Sequence, residues 1–417
     1  MGTKSSTRKA AIIHPDFGIG GAEQLMLNLG LALNDIGYEV TIYTPEYDPN
    51  HCFSQLKEGK FRISVHGKWF PRTICNKCYA LCAYIRMLIC ALAIIICGPK
   101  YDIIVLDQVP LPIPFLRILK SKIFFYCHYP DKLLCVERRS CFKRLYRFII
   151  DSIEEFCIYF AHSVMVNSKF TRSVFMNNFK CITKRRCCRK GIEPHVLYPA
   201  LDFTMFQNKN KDEEILKGMG LDGKFLITSL NRYERKKNIQ LALDSFAILI
   251  KKQEKIQKAT LFLVIAGGYD LKVRENVEYK QELEKSAKEL GIFENVKFLT
   301  SISDSQRSSL LRNSSILLYT PEREHFGIVP LEGMYNRCVV IACKSGGPCE
   351  TVIEGKTGFL LDPISEEWGN KMLQIINENL LKKLGDDGHE HVKENFSNEV
   401  FRRDLETIIN SQLRKKK

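Results

Sequence analysis

Short apolar runs alternate with stretches of helical period along most of the chain. Ala10-Ala11-Ile12-Ile13 reads as a strand and residues 15–21 as a glycine-rich turn. Residues 22–34 then form a helix, with Leu25, Leu29 and Leu33 on one face and Gly37 as its stop. Further strands are predicted at residues 40–43, 103–106, 123–127 and 164–166, with an amphipathic helix over 143–161. The pattern resets around Tyr198-Pro199-Ala200, and the polar residues 207–214 read as a linker. A second set follows: strands at 225–230, 261–266 (ending in Gly267-Gly268), 315–319, 339–342 and 358–361, and helices from Asn238 and after Gly327. From Glu399 the chain reads as helix and ends in Arg414-Lys415-Lys416-Lys417. Alternation of this kind implies parallel sheets with crossover helices. The expected fold is α/β, two doubly wound Rossmann-like domains facing a cleft. They would span residues 1–205 and 206–398, with a C-terminal helix and basic tail over 399–417. Ligands of such sheets bind beyond the carboxyl ends of the strands.

A length of 417 residues agrees with two domains, and 45% apolar with 26% charged residues lets each bury a core. The net charge of +15 changes the picture more, because it asks for an anionic partner. A nucleotide, a diphosphate-linked lipid or an anionic membrane face qualifies. Nucleic acid is not expected, since no basic stripe interleaves with stacking aromatics and no helix-turn-helix or zinc-finger spacing occurs. The densest basic run, residues 184–190, reads as a solvated loop or as a lipid-surface contact. The 16 cysteines are scattered, and Cys90, Cys97, Cys127 and Cys157 fall in apolar runs, so they read as small core residues of a reducing compartment. The Cys75/Cys78 pair lacks a second pair of ligands, so zinc is not expected. Two glycosylation-type triplets, at Asn313 and Asn395, read as chance matches. The polar N-terminus, with a short first apolar run, does not read as a signal peptide. Tyr79–Cys97 is almost continuously apolar but carries Arg86. Membrane association is expected of it. Interfacial or re-entrant embedding, with Lys77, Arg86 and Lys100 snorkelling to headgroups, a full span, and a buried core helix all remain open.

The most informative stretch is Glu324-His325-Phe326-Gly327-Ile328-Val329-Pro330-Leu331-Glu332. Pro330 suits the first turn of a helix, so Glu324 lies on the entering loop and Glu332 inside the helix. One carboxylate can then meet a sugar and the other a ribose, while helix N–H groups face phosphate. In Asn231-Arg232-Tyr233-Glu234-Arg235-Lys236-Lys237-Asn238, cations cluster at a strand's carboxyl end, well placed to clamp a diphosphate whose charge grows as it departs. Gly20-Gly21-Ala22-Glu23 sits at a strand-to-helix turn and lacks the third glycine of a dinucleotide fingerprint, so it reads as a ligand turn or a plain tight turn. His128 ends a strand and reads either as structural or as a ligand contact; Asp107 is placed similarly, with a weaker case.

Together these elements resemble the retaining GT-B glycosyltransferases of the family 4 type, over nearly the whole chain. Several runs, among them His14-Pro15-Asp16-Phe17-Gly18 and Phe125-Tyr126-Cys127-His128-Tyr129-Pro130-Asp131, are similar to the dolichol-pathway α-1,3/1,6-mannosyltransferases. The resemblance implies transfer of two mannoses from GDP-mannose to a mannosyl-chitobiosyl-diphosphodolichol on the cytosolic face of the endoplasmic reticulum membrane, without a metal or other cofactor. Other transferases of the same pathway would be partners. It implies that Arg232 and Lys237 hold the donor diphosphate, Glu332 the ribose, and Gly267, Gly268, Gly327, Ile328 and Val329 further parts of the donor. Glu324 would contact the transferred mannose with His325 beside it, His128 the sugar or its leaving group, and Gly20 and Gly21 would let donor and acceptor approach. Asn231 departs from the glycine common before the arginine. Whether retention uses a covalent intermediate stays open, and Glu324 is not assigned as a nucleophile. A related transferase with another lipid acceptor, such as phosphatidylinositol, an NAD-linked oxidoreductase and a scaffold with a decayed site are the competing readings.

Overall fold

The computed structural model describes residues 8–18, 20–74, 77–135, 141–184, 191–207, 211–254, 257 and 260–414. Cys75, residues 185–190 of the basic run, residues 208–210 of the expected linker and the terminal lysines 415–417 lie outside them. The chain divides into two units, Met1–Ala200 with Asn398–Lys417, and Leu201–Ser397. The C-terminal helix (Asn398–Leu413) is therefore part of the first unit. Its Phe401, Leu405, Ile408 and Ile409 are buried in one core with Leu25, Leu29 and Leu33 of the first helix, α1 (Gly21–Asp35).

In the first unit seven parallel strands run in the order β3-β2-β1-β4-β5-β6-β7. They are β1 (Arg8–Ile13), β2 (Tyr38–Thr44), β3 (Arg62–Val65), β4 (Ile103–Asp107), β5 (Lys122–Cys127), β6 (Ser163–Val166) and β7 (His195–Val196). The central strands are apolar on both faces because helices cover both, as parallel sheets require. The second unit repeats the plan with six parallel strands in the order β10-β9-β8-β11-β12-β13. These are β8 (Phe225–Leu230), β9 (Leu261–Gly267), β10 (Val296–Thr300), β11 (Ser314–Tyr319), β12 (Val339–Cys343) and β13 (Gly358–Leu361). In each sheet the strand order reverses once, between β1 and β4 and between β8 and β11. Loops leaving those strands diverge, which opens a crevice at the carboxyl ends.

The apolar helix α2 (Tyr79–Cys97) packs one face into the first unit, burying Tyr84, Met87, Cys90, Ala91 and Ile94. It is long and apolar enough to cross a membrane, yet 39% of it is buried against the protein. Arg86 does not snorkel. It is 6% exposed, and its Nη2 donates to Glu46 Oε2 at 2.9 Å and to the Pro45 carbonyl at 3.1 Å. A guanidinium on the packed face has no water to reach, so it is paired inside the fold. Of the cysteines expected in cores, Cys90, Cys127 and Cys157 are buried, whereas Cys97 at the helix end is exposed; the described cysteines are all free thiols.

Replacing Arg86 with Met tests this placement. The variant loses the Arg86 bonds to the Glu46 carboxylate and the Pro45 carbonyl, while Lys68 and Arg72, each 3.5 Å from Glu46, still face that carboxylate, so the urea midpoint of the first unit should fall by the equivalent of about 1–3 kcal/mol of stability. An unchanged midpoint would mean that Arg86 faces outward.

Candidate active site

In the second unit the two acidic positions are held as the sequence suggests. Glu324 lies on the loop after β11, and Glu332 lies inside the helix Ile328–Tyr335, whose cap is Gly327 at φ 81° with no side-chain cap bond. Its first N–H groups are thus not claimed by a capping side chain, the arrangement that receives phosphate. Across the switch point, Lys237 Nζ donates to Glu324 Oε1. Thr320 Oγ1 donates to the Lys237 carbonyl at 2.7 Å and so ties the loop after β8 to the end of β11. Arg232 stands on that same loop with its side chain 72% exposed, open to an incoming anion. Asn231 is accommodated by turning its amide onto Ser229 Oγ at 3.2 Å.

Glu332 is 5% exposed and takes a hydrogen bond from Arg307 on the helix Asp304–Asn313. Burial pushes its carboxyl above the usual range, and the Arg307 guanidinium opposes that shift only in part. The carboxylate is thus held in place from behind by Arg307. Ile328, Val329 and His325 are half-buried on the same segment.

The glycines act by close approach. A Cβ on Gly267 would lie 2.0 Å from the Asn231 carbonyl oxygen, and one on Gly268 3.2 Å from Arg232 Cγ. These two residues therefore shape the loop that carries Arg232 rather than merely leaving space for a donor. Sequence reasoning missed a second pair, Gly346-Gly347, after β12. Gly347 N donates to the Glu324 carbonyl at 2.8 Å, and Cβ atoms at 346 and 347 would meet the Glu324 and Phe326 carbonyl oxygens at 2.3 and 2.2 Å. Ser345 Oγ accepts from Arg323 N at 3.0 Å. The Ser-Gly-Gly-Pro run at a strand's carboxyl end was the available signal.

In the first unit His14, Asp107 and His128 come together at the switch point. The register aligns Ile13 with Leu106, so His14 and Asp107 leave adjacent strands side by side. Asp107, fully buried, accepts from His14 Nδ1 at 2.7 Å and from His128 Nε2 at 2.9 Å. In a neutral His128 ring that bond fixes the tautomer and leaves Nδ1 as an acceptor. His14 is fully buried, and its Nε2 faces Glu23 Oε1 at 3.6 Å. Burial disfavours its charge, but Asp107 and Glu23 outweigh that and raise its pKa to about 9. Asp107 is held below the usual range by the two imidazoles against the same burial. Glu23 belongs to the Gly20-Gly21 turn: a Cβ on Gly20 would meet its carboxylate at 2.3 Å, whereas Gly21 faces open space. Beside it lies a cavity of about 450 Å³ lined by Asp16, Glu23, Glu46, Asp48, His51 and Arg72, a set suited to hydroxyl groups. The roles of His14 and Glu23 were not read from the sequence.

His14 binds its proton more tightly in the folded chain than in the unfolded one, where 6.5 applies. Its contribution is fully present below pH 6.5 and is lost as pH rises through about 9. Thermal unfolding of wild type and His14→Gln across that window should show the wild type alone losing on the order of 1–3 kcal/mol. Parallel curves would contradict the buried imidazolium.

Comparison with known proteins agrees with this geometry. Residues 19–196 match "Glycosyltransferase Family 4" and residues 211–391 match "Glycosyl transferases group 1". The chain is 44% identical over 416 residues to alpha-1,3/1,6-mannosyltransferase ALG2 of Dictyostelium discoideum, covering 96% of this chain and 97% of that protein. It is 42% identical over 410 residues to the Homo sapiens protein of the same name, covering 96% and 95%. Among solved structures, sucrose-phosphate synthase from Thermosynechococcus elongatus superposes with a TM-score of 0.74 at 18% identity, over 97% of this chain and 99% of that one, and so shares the fold. The chain belongs to the α-1,3/1,6-mannosyltransferase family of glycosyltransferases.

Proposed function

We propose that this hexosyltransferase moves mannose from GDP-mannose to dolichyl-diphosphate-linked Man1GlcNAc2 and then to the Man2GlcNAc2 product, making α-1,3 and α-1,6 linkages with retention. The work would take place on the cytosolic face of the endoplasmic reticulum membrane, beside other transferases of the same assembly. The observation that carries the reading is the Lys237–Glu324 pair at the switch point of the second sheet, with Arg232 exposed on the same loop. The names of the relatives agree with it.

In this account Arg232, Lys237 and the N-terminus beginning at Gly327 receive the donor diphosphate. Glu332 takes the ribose, with Arg307 behind it. Mannose C1 exchanges its bond to a phosphate oxygen for one to an acceptor hydroxyl oxygen, and the hydroxyl proton is taken up by the departing GDP. Charge accumulates on that diphosphate, and fixed cations lower the barrier without reorganising. They do the work a divalent cation would otherwise do, so we propose metal-independent transfer. Glu324 fixes the mannose hydroxyls while Lys237 neutralises it, and His128 offers Nδ1 to a sugar hydroxyl.

Two measurements test this. Glu324→Ala should lower kcat by about a hundredfold or more while GDP affinity stays near that of wild type; wild-type turnover would refute the role of Glu324. Transfer to the lipid-linked acceptor should proceed with GDP-mannose in the presence of EDTA and fail with UDP-sugars. Transfer from a UDP-sugar would point to the related lipid-acceptor transferases instead, and loss of activity in EDTA would overturn metal independence.

A further inference from the structure

The helix α3 (Cys141–Ile158) is inside out. Phe142, Leu145, Phe148, Ile149, Phe156 and, just past its end, Tyr159 fall within one arc of the helix and are all exposed, Phe142 at 86% and Phe148 at 68%. Its acids and Arg147 point the other way. Arg147 is 4% exposed and its Nη2 lies 2.9 Å from Asp131 Oδ2 and 2.8 Å from Asp151 Oδ1. Glu154 is 2% exposed and accepts from the backbone N–H of Asp131 at 2.7 Å and of Lys132 at 3.0 Å. Glu155, the remaining acid, accepts from Cys181 N at 2.8 Å. The hydroxyl on the outward arc, Ser152, donates to its own helix at the Phe148 carbonyl, 2.7 Å away. A helix in water places these groups the opposite way round, because burying the charges costs free energy and exposing three phenylalanines forfeits more.

The apolar surface continues beyond this helix. The same core carries buried residues of α2, of the short helix Ile113–Leu116 and of α3, so all three cover one face of the first sheet. Leu81 N on α2 donates to Tyr146 Oη on α3 at 3.0 Å. Exposed on the neighbours are Leu92 and Ile96 of α2, and Phe115 and Ile118. Such a patch needs a second solvent or a partner. Its charge decides between them: the acids of α3 are turned into the protein, while Arg144, at the flank of the outward arc, and Lys120, two residues beyond Ile118, are exposed.

We infer that the outward face of α3 is a membrane-docking surface, which lies in the headgroup–acyl boundary of a bilayer containing anionic lipid. Aromatic and aliphatic side chains enter the bilayer, and Arg144 and Lys120 meet lipid phosphates. Docking centres on α3, with the exposed side chains of α2 as a flank rather than as a span. This deepens the lipid-acceptor reading and rests on it, since an enzyme acting on a lipid-linked sugar must reach the bilayer surface.

The test uses the full chain and no sugar donor or acceptor, so its failure is separate from a failure of transfer. Flotation with phosphatidylcholine vesicles, with and without phosphatidylinositol, should show binding that rises with the anionic lipid. The variant Phe142→Ser/Phe148→Ser/Phe156→Ser should lower partitioning by about tenfold or more. Lys120→Glu/Arg144→Glu should lose only the gain from phosphatidylinositol. As a check independent of the triple variant's folding, Phe148→Trp in a Trp69→Phe background should be quenched by lipids brominated on their acyl chains. Wild-type partitioning of the triple variant, or an unquenched Trp at 148, overturns the inference. So does a dimer in vesicle-free buffer that the triple variant abolishes with no change in vesicle binding, since a second copy would then be the occupant.

Discussion

The Asp107 carboxylate, buried between two imidazoles at the place where the first sheet reverses its strand order, is the constraint on which the first unit's chemistry depends. An ion with no access to water survives there only because His14 and His128 both donate to it and His14 carries a compensating charge, shared with Glu23. The same interaction therefore does two things. It makes the closed end of a parallel sheet tolerate a charge, and it holds the His128 ring in one orientation through its Nε2.

The second unit meets the same problem with a different solution. Its reversal point lies between β8 and β11, and the opposed charges are Lys237 and Glu324, both part-buried, with Thr320 tying their loops together. Behind them the chain is packed to backbone contact: Gly267 lies against Asn231, and Gly346 and Gly347 against the segment from Glu324 to Phe326. No side chain fits at those places, so the loop carrying Glu324 cannot relax away from Lys237. Preorganisation of this kind lets a few fixed charges act strongly on a developing phosphate charge.

How much of this was legible follows from what each feature depends on. Strands buried on both faces, such as Phe225–Leu230 and Val339–Cys343, are continuous apolar runs and could be read off directly. The edge strands Arg62–Val65 and Val296–Thr300 are largely half-exposed and mixed in composition, and so left no such run. The helix Arg274–Glu289 is mostly charged and passed unnoticed for the same reason. Glu324, Glu332, Arg232 and Lys237 lie in two short runs whose spacing is itself the signal. His14 and Asp107 are brought together across 93 residues by strand register, which no local pattern records. Periodicity identified α3 as amphipathic but carries no information about which side faces the protein, and for the same reason it left open whether Arg86 snorkels or is buried: it points inward.

The account stands most directly on the stereochemistry of transfer. The purified chain would be incubated with GDP-mannose and the defined lipid-linked Man1GlcNAc2, and the linkages of the released oligosaccharide determined by nuclear magnetic resonance. The account predicts two added mannoses, both α-linked, one at position 3 and one at position 6. A β-linked product, or no mannose transferred from GDP-mannose, would contradict it.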